Sequence, residues 1–359
     1  MAVSDDLLQA KQVLSSRYLG AALRSGVVGM RASLSVNAAL AAGPTVHAVG
    51  VGYKIVDDKE TATKAVRLFV VQKIAVSLLP PRDLLPKTID GIPVDVIESP
   101  PAFIVKPRAK KAAKPKVRAA AADPACTTKR KERQRPVVAG ISTAHYNVTA
   151  GTLAYFCRSK RQGDDPNQVH VLSNNHVFAD VNKAHIGDAL YQPGPADGGE
   201  SAHHFANLHR FVEIKLGSNG SNRVDAAIGR LLPGIEHRPE VCSIGKVAGT
   251  AKAVQNMRVR KHGRTTGYTE GEVTDESYDA VVGMDHNNPS VVASFHNQMR
   301  IATVSPYPAF GRGGDSGSLV LAKSTLKAVG LYFAGPDDGS YGVANHFDDV
   351  SSELEIELL

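Results

Sequence analysis

From Val137 onward the sequence is broken into short apolar runs separated by Gly, Pro, Asn and Asp, and that texture limits the fold more than any other feature. Residues 152–157, 169–172, 206–214, 226–232, 291–295 and 328–333 are runs of this kind. Each is strand length, and a turn signal follows before a helical period can build up. Regular short strands with little helical periodicity predict an all-β barrel or sandwich. Only the final stretch, 348–359, reads as a helix, with Val350, Leu354 and Ile356 as its apolar stripe.

The first third of the chain differs. Residues 4–19 predict a helix, with Ser4 as cap, acids in the first turn and Leu7, Leu8, Val13 and Leu14 as apolar positions. Residues 48–56 and 66–74 read as strands around the turn Asp57-Asp58-Lys59-Glu60, and 94–97 as a third strand. Residues 1–105 are therefore expected to form a small α+β unit, with no chemistry evident in it.

Between them, residues 106–135 carry 12 Lys or Arg against Asp123 and Glu132, a net charge of +10. Taking that +10 from the chain's +7 leaves −3 for the rest, so the basic character is local. A low-complexity basic stretch such as Lys110-Lys111-Ala112-Ala113-Lys114 cannot bury a core and reads as a flexible linker. Its sharper reading is an electrostatic contact with nucleic acid or another polyanion.

The 359 residues are 43% hydrophobic, enough for a packed core, yet no apolar run approaches the length that crosses a bilayer. The start is acidic and is soon interrupted by Lys11, Arg17 and Arg24, unlike a secretory signal, so a cytoplasmic protein is expected. Cys126, Cys157 and Cys242 are odd in number and lack metal-ligand spacing. They read as two small core residues and one linker thiol.

Chemistry gathers at three points. Gly314-Asp315-Ser316-Gly317 places a serine among small residues, where the N–H groups of Gly314 and Ser316 can converge on one point. His176 ends the run Val171-Leu172-Ser173-Asn174-Asn175, which puts an imidazole at a strand-to-loop edge. Asp225 stands just before the apolar run that begins at Ala226. Taken singly, each has a plain structural reading. Together they keep the order His, Asp, Ser with separations of 49 and 91 residues. A serine-nucleophile triad has that order at separations of about 45 and 93. Candidate roles follow: Ser316 as nucleophile, His176 as general base, Asp225 as its orienter, and Gly314 with Ser316 as oxyanion donors. No metal or organic cofactor is expected.

Residues 137–359 resemble a trypsin-like, chymotrypsin-fold serine protease, with 173–177 matching the histidine motif and 314–318 the serine motif. The whole chain is more similar still to a bacterial group related to the plant NARROW LEAF-type proteases. In that group a short N-terminal domain with a stretch like His47-Ala48-Val49-Gly50-Val51-Gly52-Tyr53 precedes the barrels. Residues 142–153, Gln192-Pro193-Gly194-Pro195, Gly263-Arg264-Thr265-Thr266-Gly267 and Ala344-Asn345 also fit its pattern.

The resemblance implies a mainly β domain at 136–359, a double six-stranded β-barrel with the active site between the barrels. It implies a serine endopeptidase acting on protein or peptide substrates through an acyl-enzyme. The alternatives are a catalytically silent peptide-binding module on the same fold, or a protease tethered to nucleic acid by the basic linker. Phe310 stands where a trypsin carries an acid, and Phe333-Ala334-Gly335 match the wall usually built as Ser-Trp-Gly. These four residues are the expected substrate pocket, shallow or apolar and without preference for Lys or Arg. No cysteine follows His176. In secreted relatives the acid at Asp315 pairs with a new amino terminus. Here that terminus would come from cleavage near Val137, which otherwise reads as a first barrel strand, with Asp315 hydrogen-bonded internally.

Other signals are weaker. Gly50-Val51-Gly52 lacks the third glycine of a dinucleotide loop. His203, His204 and His209 could ligate a metal but read better as a polar loop. Arg264 within Gly263–Gly267 could bind an anion, although a tight turn between strands suits the segment better.

Overall fold

The computed structural model describes residues 3–32, 45–57, 59–104, 125–217, 220–285, 287–288 and 290–359. Its elements in chain order are helix α1 (Asp5–Ala32), strands β1 (Val46–Val56), β2 (Lys59–Val70), β3 (Thr88–Ile89), β4 (Ile92–Glu98) and β5 (Ala102–Phe103), and helix α2 (Ala125–Thr128). Then come β6 (Val137–Ala139), β7 (Ser142–His145), β8 (Gly151–Thr152), β9 (Tyr155–Ser159), β10 (Val169–Ser173) and helix α3 (Asn175–Phe178). They are followed by β11 (Ala189–Tyr191), β12 (His204–Phe211), β13 (Ala227–Leu231), β14 (His237–Val241), β15 (Arg258–Gly263), β16 (Gly267–Gly283) and β17 (Val292–Thr303). The last are β18 (Leu319–Ala322), β19 (Ala328–Ala334), β20 (Tyr341–His346), helix α4 (Phe347–Leu354) and β21 (Ile356–Leu358).

The fold is mainly β and double-barrelled, as expected. The first sheet runs β21-β9-β10-β13-β12-β11-β7-β8 and curls around a core that includes Phe156, Val171, Phe178, Leu190 and Phe205. In the second, β15-β18-β19-β20-β17-β16 is closed into a barrel by the pairing of β15 with β16. Its interior holds Val259, Met299, Ile301, Phe310 and Tyr332. A further cluster joins the barrels, with Tyr155, Leu172 and Ile228 from the first packed on Leu319, Leu331, Phe347 and Val350 from the second.

β16 is long enough to leave the barrel, and β1 pairs with its outer part from Ala48↔Ala280 to Val51↔Ser277. β2 and β4 extend the same sheet. β1, β2 and β4, from the region read in the sequence as a unit of its own, thus share one sheet with the second barrel. Two buried ion pairs fasten that region. Lys11 Nζ lies 2.5 Å from Asp279, which also accepts from Ser15 Oγ at 2.7 Å, and Arg67 lies 3.3 Å from Asp275. A side chain at Gly50 would meet Asp275 at 2.6 Å, and one at Gly52 would meet the Arg67 guanidinium at 2.4 Å. The glycines of Gly50-Val51-Gly52 thus make room for a buried charge pair. Leu14, Leu19 and Ala22 of α1 pack on Val49, Val66 and Leu68, and each leucine buried in this way contributes about 1.5–3 kcal/mol.

Three local expectations need correction. α1 continues well past residue 19, because Leu19 and Ala22 still find apolar partners on the sheet. The helix expected over 348–359 stops at Leu354, where Glu355 takes a left-handed φ of 50°, and 356–358 pair with β9 instead. The cysteines are not all free: Cys126 and Cys242 form a disulfide, with Cα atoms 5.9 Å apart across 116 residues of sequence. That proximity is tertiary and leaves no trace in linear spacing. Cys157 is a buried thiol, pushed up to about 12 by burial. Of the basic segment, 106–124 lies outside the described residues, and 125–135 packs onto the barrels. There Arg130 donates to the Arg264 and Thr265 carbonyls, and Gln134 N–H donates to Gln192.

Candidate active site

β10 delivers the histidine. At its end Ser173, Asn174 and Asn175 are wholly buried, and each has a task. Ser173 Oγ donates to the Thr152 carbonyl at 2.8 Å, and Asn174 Nδ2 donates to the Asp225 carbonyl at 2.7 Å. Asn175 Nδ2 donates to the Val212 carbonyl at 2.7 Å. The polar residues that end the strand therefore fix the one-turn helix α3 that carries His176.

Asp225, just ahead of β13, is completely buried and faces that helix. His176 Nδ1 lies 2.5 Å from Asp225 Oδ2, and the His176 backbone N–H donates to Oδ1 at 3.1 Å. With Nδ1–H directed at the carboxylate, Nε2 is left as the basic nitrogen. The acid is also held from the other barrel. Its N–H donates to Asn345 Oδ1 at 3.1 Å, and Asn345 Nδ2 donates to Gln298 Oε1 at 2.7 Å. Gln298 Nε2 then donates to the Arg223 carbonyl at 2.8 Å. Asn345 lies in a motif of the resemblance; Gln298 drew no attention in the sequence, because a glutamine in a mid-strand polar stretch looks solvent-facing.

Ser316 sits on the turn before β18, across the barrel interface. Its hydroxyl donates to the Phe333 carbonyl at 3.2 Å. Ser316 and His176 both line one cleft of about 240 Å³, whose walls include Val148, Val181, Leu216, Met284 and Val291. The structure thus brings the three candidate residues together, two from the first barrel and one from the second.

The serine turn is demanding in shape. Gly314 has φ +93° and Gly317 φ +92°, a region that favours glycine. A Cβ at Gly317 would also lie 2.2 Å from both Ser173 Oγ and the Thr152 carbonyl oxygen. The Gly314 and Gly313 carbonyls are tied back by the Thr152 and Thr265 hydroxyls at 2.8 and 2.6 Å. Among the described residues, the N–H groups of Gly314 and Ser316 donate to no protein acceptor.

Asp315 anchors the turn from below. It is wholly buried and accepts from the N–H groups of Thr265, Thr266 and Arg312 at 2.8, 3.1 and 2.9 Å, and from the Thr266 hydroxyl at 2.8 Å. Lys261 Nζ, equally buried, stands 3.6 Å away and also donates to Thr266 Oγ1 at 2.8 Å. Burial works to raise the Asp315 carboxyl, but Lys261 and the N–H donors outweigh it and hold it below the usual carboxylate range. The same burial lowers Lys261, with Asp315 opposing. The cradle is the β15–β16 turn Gly263–Gly267, and Arg264 is spent on Asp197, Nε to Oδ2 at 2.6 Å. Val137–Ala139 forms the buried strand β6, paired with β14.

The expected pocket residues are placed differently from one another. Phe310 has no exposure and packs in the second barrel's core against Tyr332. Phe333 and Ala334 are buried in a neighbouring cluster, and Gly335 is paired with Phe103. The Tyr332 ring fills the space behind this wall, so that a Cβ at Gly311 or Gly342 would approach it to 2.5 or 2.7 Å. His204 is engaged with Asn207 and His209 with Asp164.

No family model matches the chain, and no curated protein matches it. Solved structures similar to it include Thermobifida fusca protease A, at 15% identity over 62% of this chain and 98% of that one, with a TM-score of 0.42. Nocardiopsis protease is similar at 13% identity over 62% and 98%, with a TM-score of 0.43. A serine protease described as specific for glutamic acid, using a histidine triad in substrate binding, is similar at 16% over 62% and 100%, with a TM-score of 0.44.

Proposed function

We propose that the protein is a serine endopeptidase with Ser316, His176 and Asp225 as its triad. The observation that carries this reading is the 2.5 Å contact between His176 Nδ1 and the buried Asp225, in a cleft that Ser316 also lines. In the proposed reaction, Ser316 Oγ attacks the substrate carbonyl carbon while its proton passes to His176 Nε2. Asp225 stabilises the imidazolium that results. The N–H groups of Gly314 and Ser316 receive the oxyanion. As the C–N bond breaks, His176 returns the proton to the leaving amine, and water then cleaves the acyl-enzyme by the same steps in reverse.

The ion pair between Lys261 and Asp315 supports a turn that is set without a new amino terminus. A buried, apolar Phe310 and the Tyr332 ring behind the wall support a preference for small or apolar side chains rather than Lys or Arg. The test is Ser316→Ala, which is expected to lower peptide hydrolysis by about 10⁶-fold and to abolish labelling by a fluorophosphonate. Labelling that survives the substitution overturns the assignment. A second reading, a silent peptide-binding module, is favoured by the Ser316 hydroxyl, which donates to Phe333 rather than to His176. Wild-type protein that is folded yet never labelled would select it.

A further inference from the structure

The backbone edge beside the nucleophile is already occupied. β18 covers the edge of β19 as far as Gly317, whose N–H donates to the Tyr332 carbonyl at 2.9 Å. Beyond that point the edge opens at 333–335, next to Ser316. An open strand edge beside a nucleophile is where an extended peptide adds as a further strand, with backbone hydrogen bonds supplying affinity and alternate side chains supplying selectivity. Phe103 occupies it in antiparallel orientation. Its N–H donates to the Gly335 carbonyl at 3.0 Å, and the Gly335 N–H donates back to its carbonyl at 3.1 Å.

The next residue, Ile104, donates to the Gly283 carbonyl at 2.9 Å and lines the same cleft as His176 and Ser316. It packs with Phe333, Ala334 and Met284. The segment is steered there by its own anchors: the Ser99 carbonyl meets His47 Nε2 at 2.8 Å, and the Pro100 carbonyl accepts from the Tyr341 hydroxyl at 2.6 Å.

We propose that residues 102–104 are an intramolecular ligand in the strand site through which this protein takes its substrate. The inference rests on Ser316 being the nucleophile. It assigns the displacing peptide an aliphatic side chain in the cleft position that Ile104 now fills. It also makes the N-terminal region a competitor, since a substrate must displace residues 102–104 to use the Gly335 edge.

The experiment compares full-length wild type with Phe103→Pro, which removes the N–H that reaches Gly335, and Ile104→Ala, which shortens the side chain in the cleft. Hydrolysis of fluorescently labelled casein gives KM and kcat, fluorophosphonate labelling reports the nucleophile, and thermal melting reports folding. If four-fifths of the molecules hold the strand in place, freeing it lowers KM about fivefold. That fall is expected for Phe103→Pro, with a smaller fall for Ile104→Ala and kcat changing less than KM. A strand that only supports the fold would lower the melting temperature and leave KM unchanged or raised, which overturns the proposal while labelling keeps the protease reading intact. Ile104→Ala decides the matter if Phe103→Pro does not fold. Absence of labelling in folded wild type and variants alike removes both readings.

Discussion

The first barrel presents His176 and Asp225 through a mesh of neutral groups. Ser173, Asn174 and Asn175, together with Asn345 and Gln298 reaching over from the second barrel, each satisfy a neighbouring carbonyl or amide, and the one charge in the mesh is Asp225 itself. The second barrel presents Ser316 on a turn fixed by full opposite charges, Lys261 and Asp315, neither of which touches solvent. The contrast suits what the proposed reaction asks of each side. In that reaction the histidine side passes a proton, and its surroundings hold one carboxylate where the imidazolium would form. The serine side would aim two N–H groups at one point, and a buried charge pair with several N–H donors makes a stiff clamp for a tight turn.

The two sides should fail differently. Asp225→Asn keeps the size and burial of the side chain but offers His176 the wrong tautomer, and kcat is expected to fall by about 10⁴-fold with little change in folding. A fall accompanied by unfolding would mean that the histidine side is also a structural clamp. Lys261→Met leaves Asp315 buried without its counter-charge, and a destabilisation of about 3–5 kcal/mol is expected from denaturant unfolding. Activity of the folded fraction should fall by about 10²-fold, since the oxyanion donors lose their placement. Adding Asp315→Asn to Lys261→Met should recover part of the stability; if it does not, the pair is not what holds the turn.

The last effect concerns acid. Burial pushes His47 and His262 down to about 4, although both also bond backbone carbonyls, of Ser99 and Gly140 respectively. The unfolded chain takes up these protons near pH 6.5, before the folded one does. Stability is therefore fully present above about 6.5 and declines as pH falls toward 4, by at most about 1.4 kcal/mol per pH unit for each residue. His262, on the strand that leads into the Asp315 cradle, carries part of the second barrel's share, alongside His346, which burial also lowers. His262→Gln should flatten the fall in melting temperature between pH 6.5 and 4, and an unchanged slope would remove that assignment.

An all-β barrel or sandwich was legible because turn residues interrupt apolar runs at strand-length intervals, and the resemblance narrowed that to a double barrel. The three candidate residues stood out in the sequence because their order and separation are properties of the linear chain. What stayed hidden depends on charges that are paired only in three dimensions. Asp275 and Asp279 make the middle of β16 look like a solvated loop, yet each is buried against a cation from the first seventy residues. That made the N-terminal region look separate. Lys261 reads as an ordinary strand lysine, and nothing nearby in sequence reveals Asp315. Gln298 was obscure because the carbonyl it bonds, that of Arg223, arrives from the other barrel.

The strap formed by α4 and β21 has a mechanical consequence. After leaving the second barrel the chain crosses back, and Ile356–Leu358 zips onto β9 of the first, while Arg210 grips the Leu354 carbonyl at 2.7 Å. With the apolar seam beneath it, this rivets the jaws of the cleft at a set gauge. With the barrels joined in this way, the proposal above assigns the room a substrate needs to the displacement of residues 102–104 rather than to the barrels swinging apart.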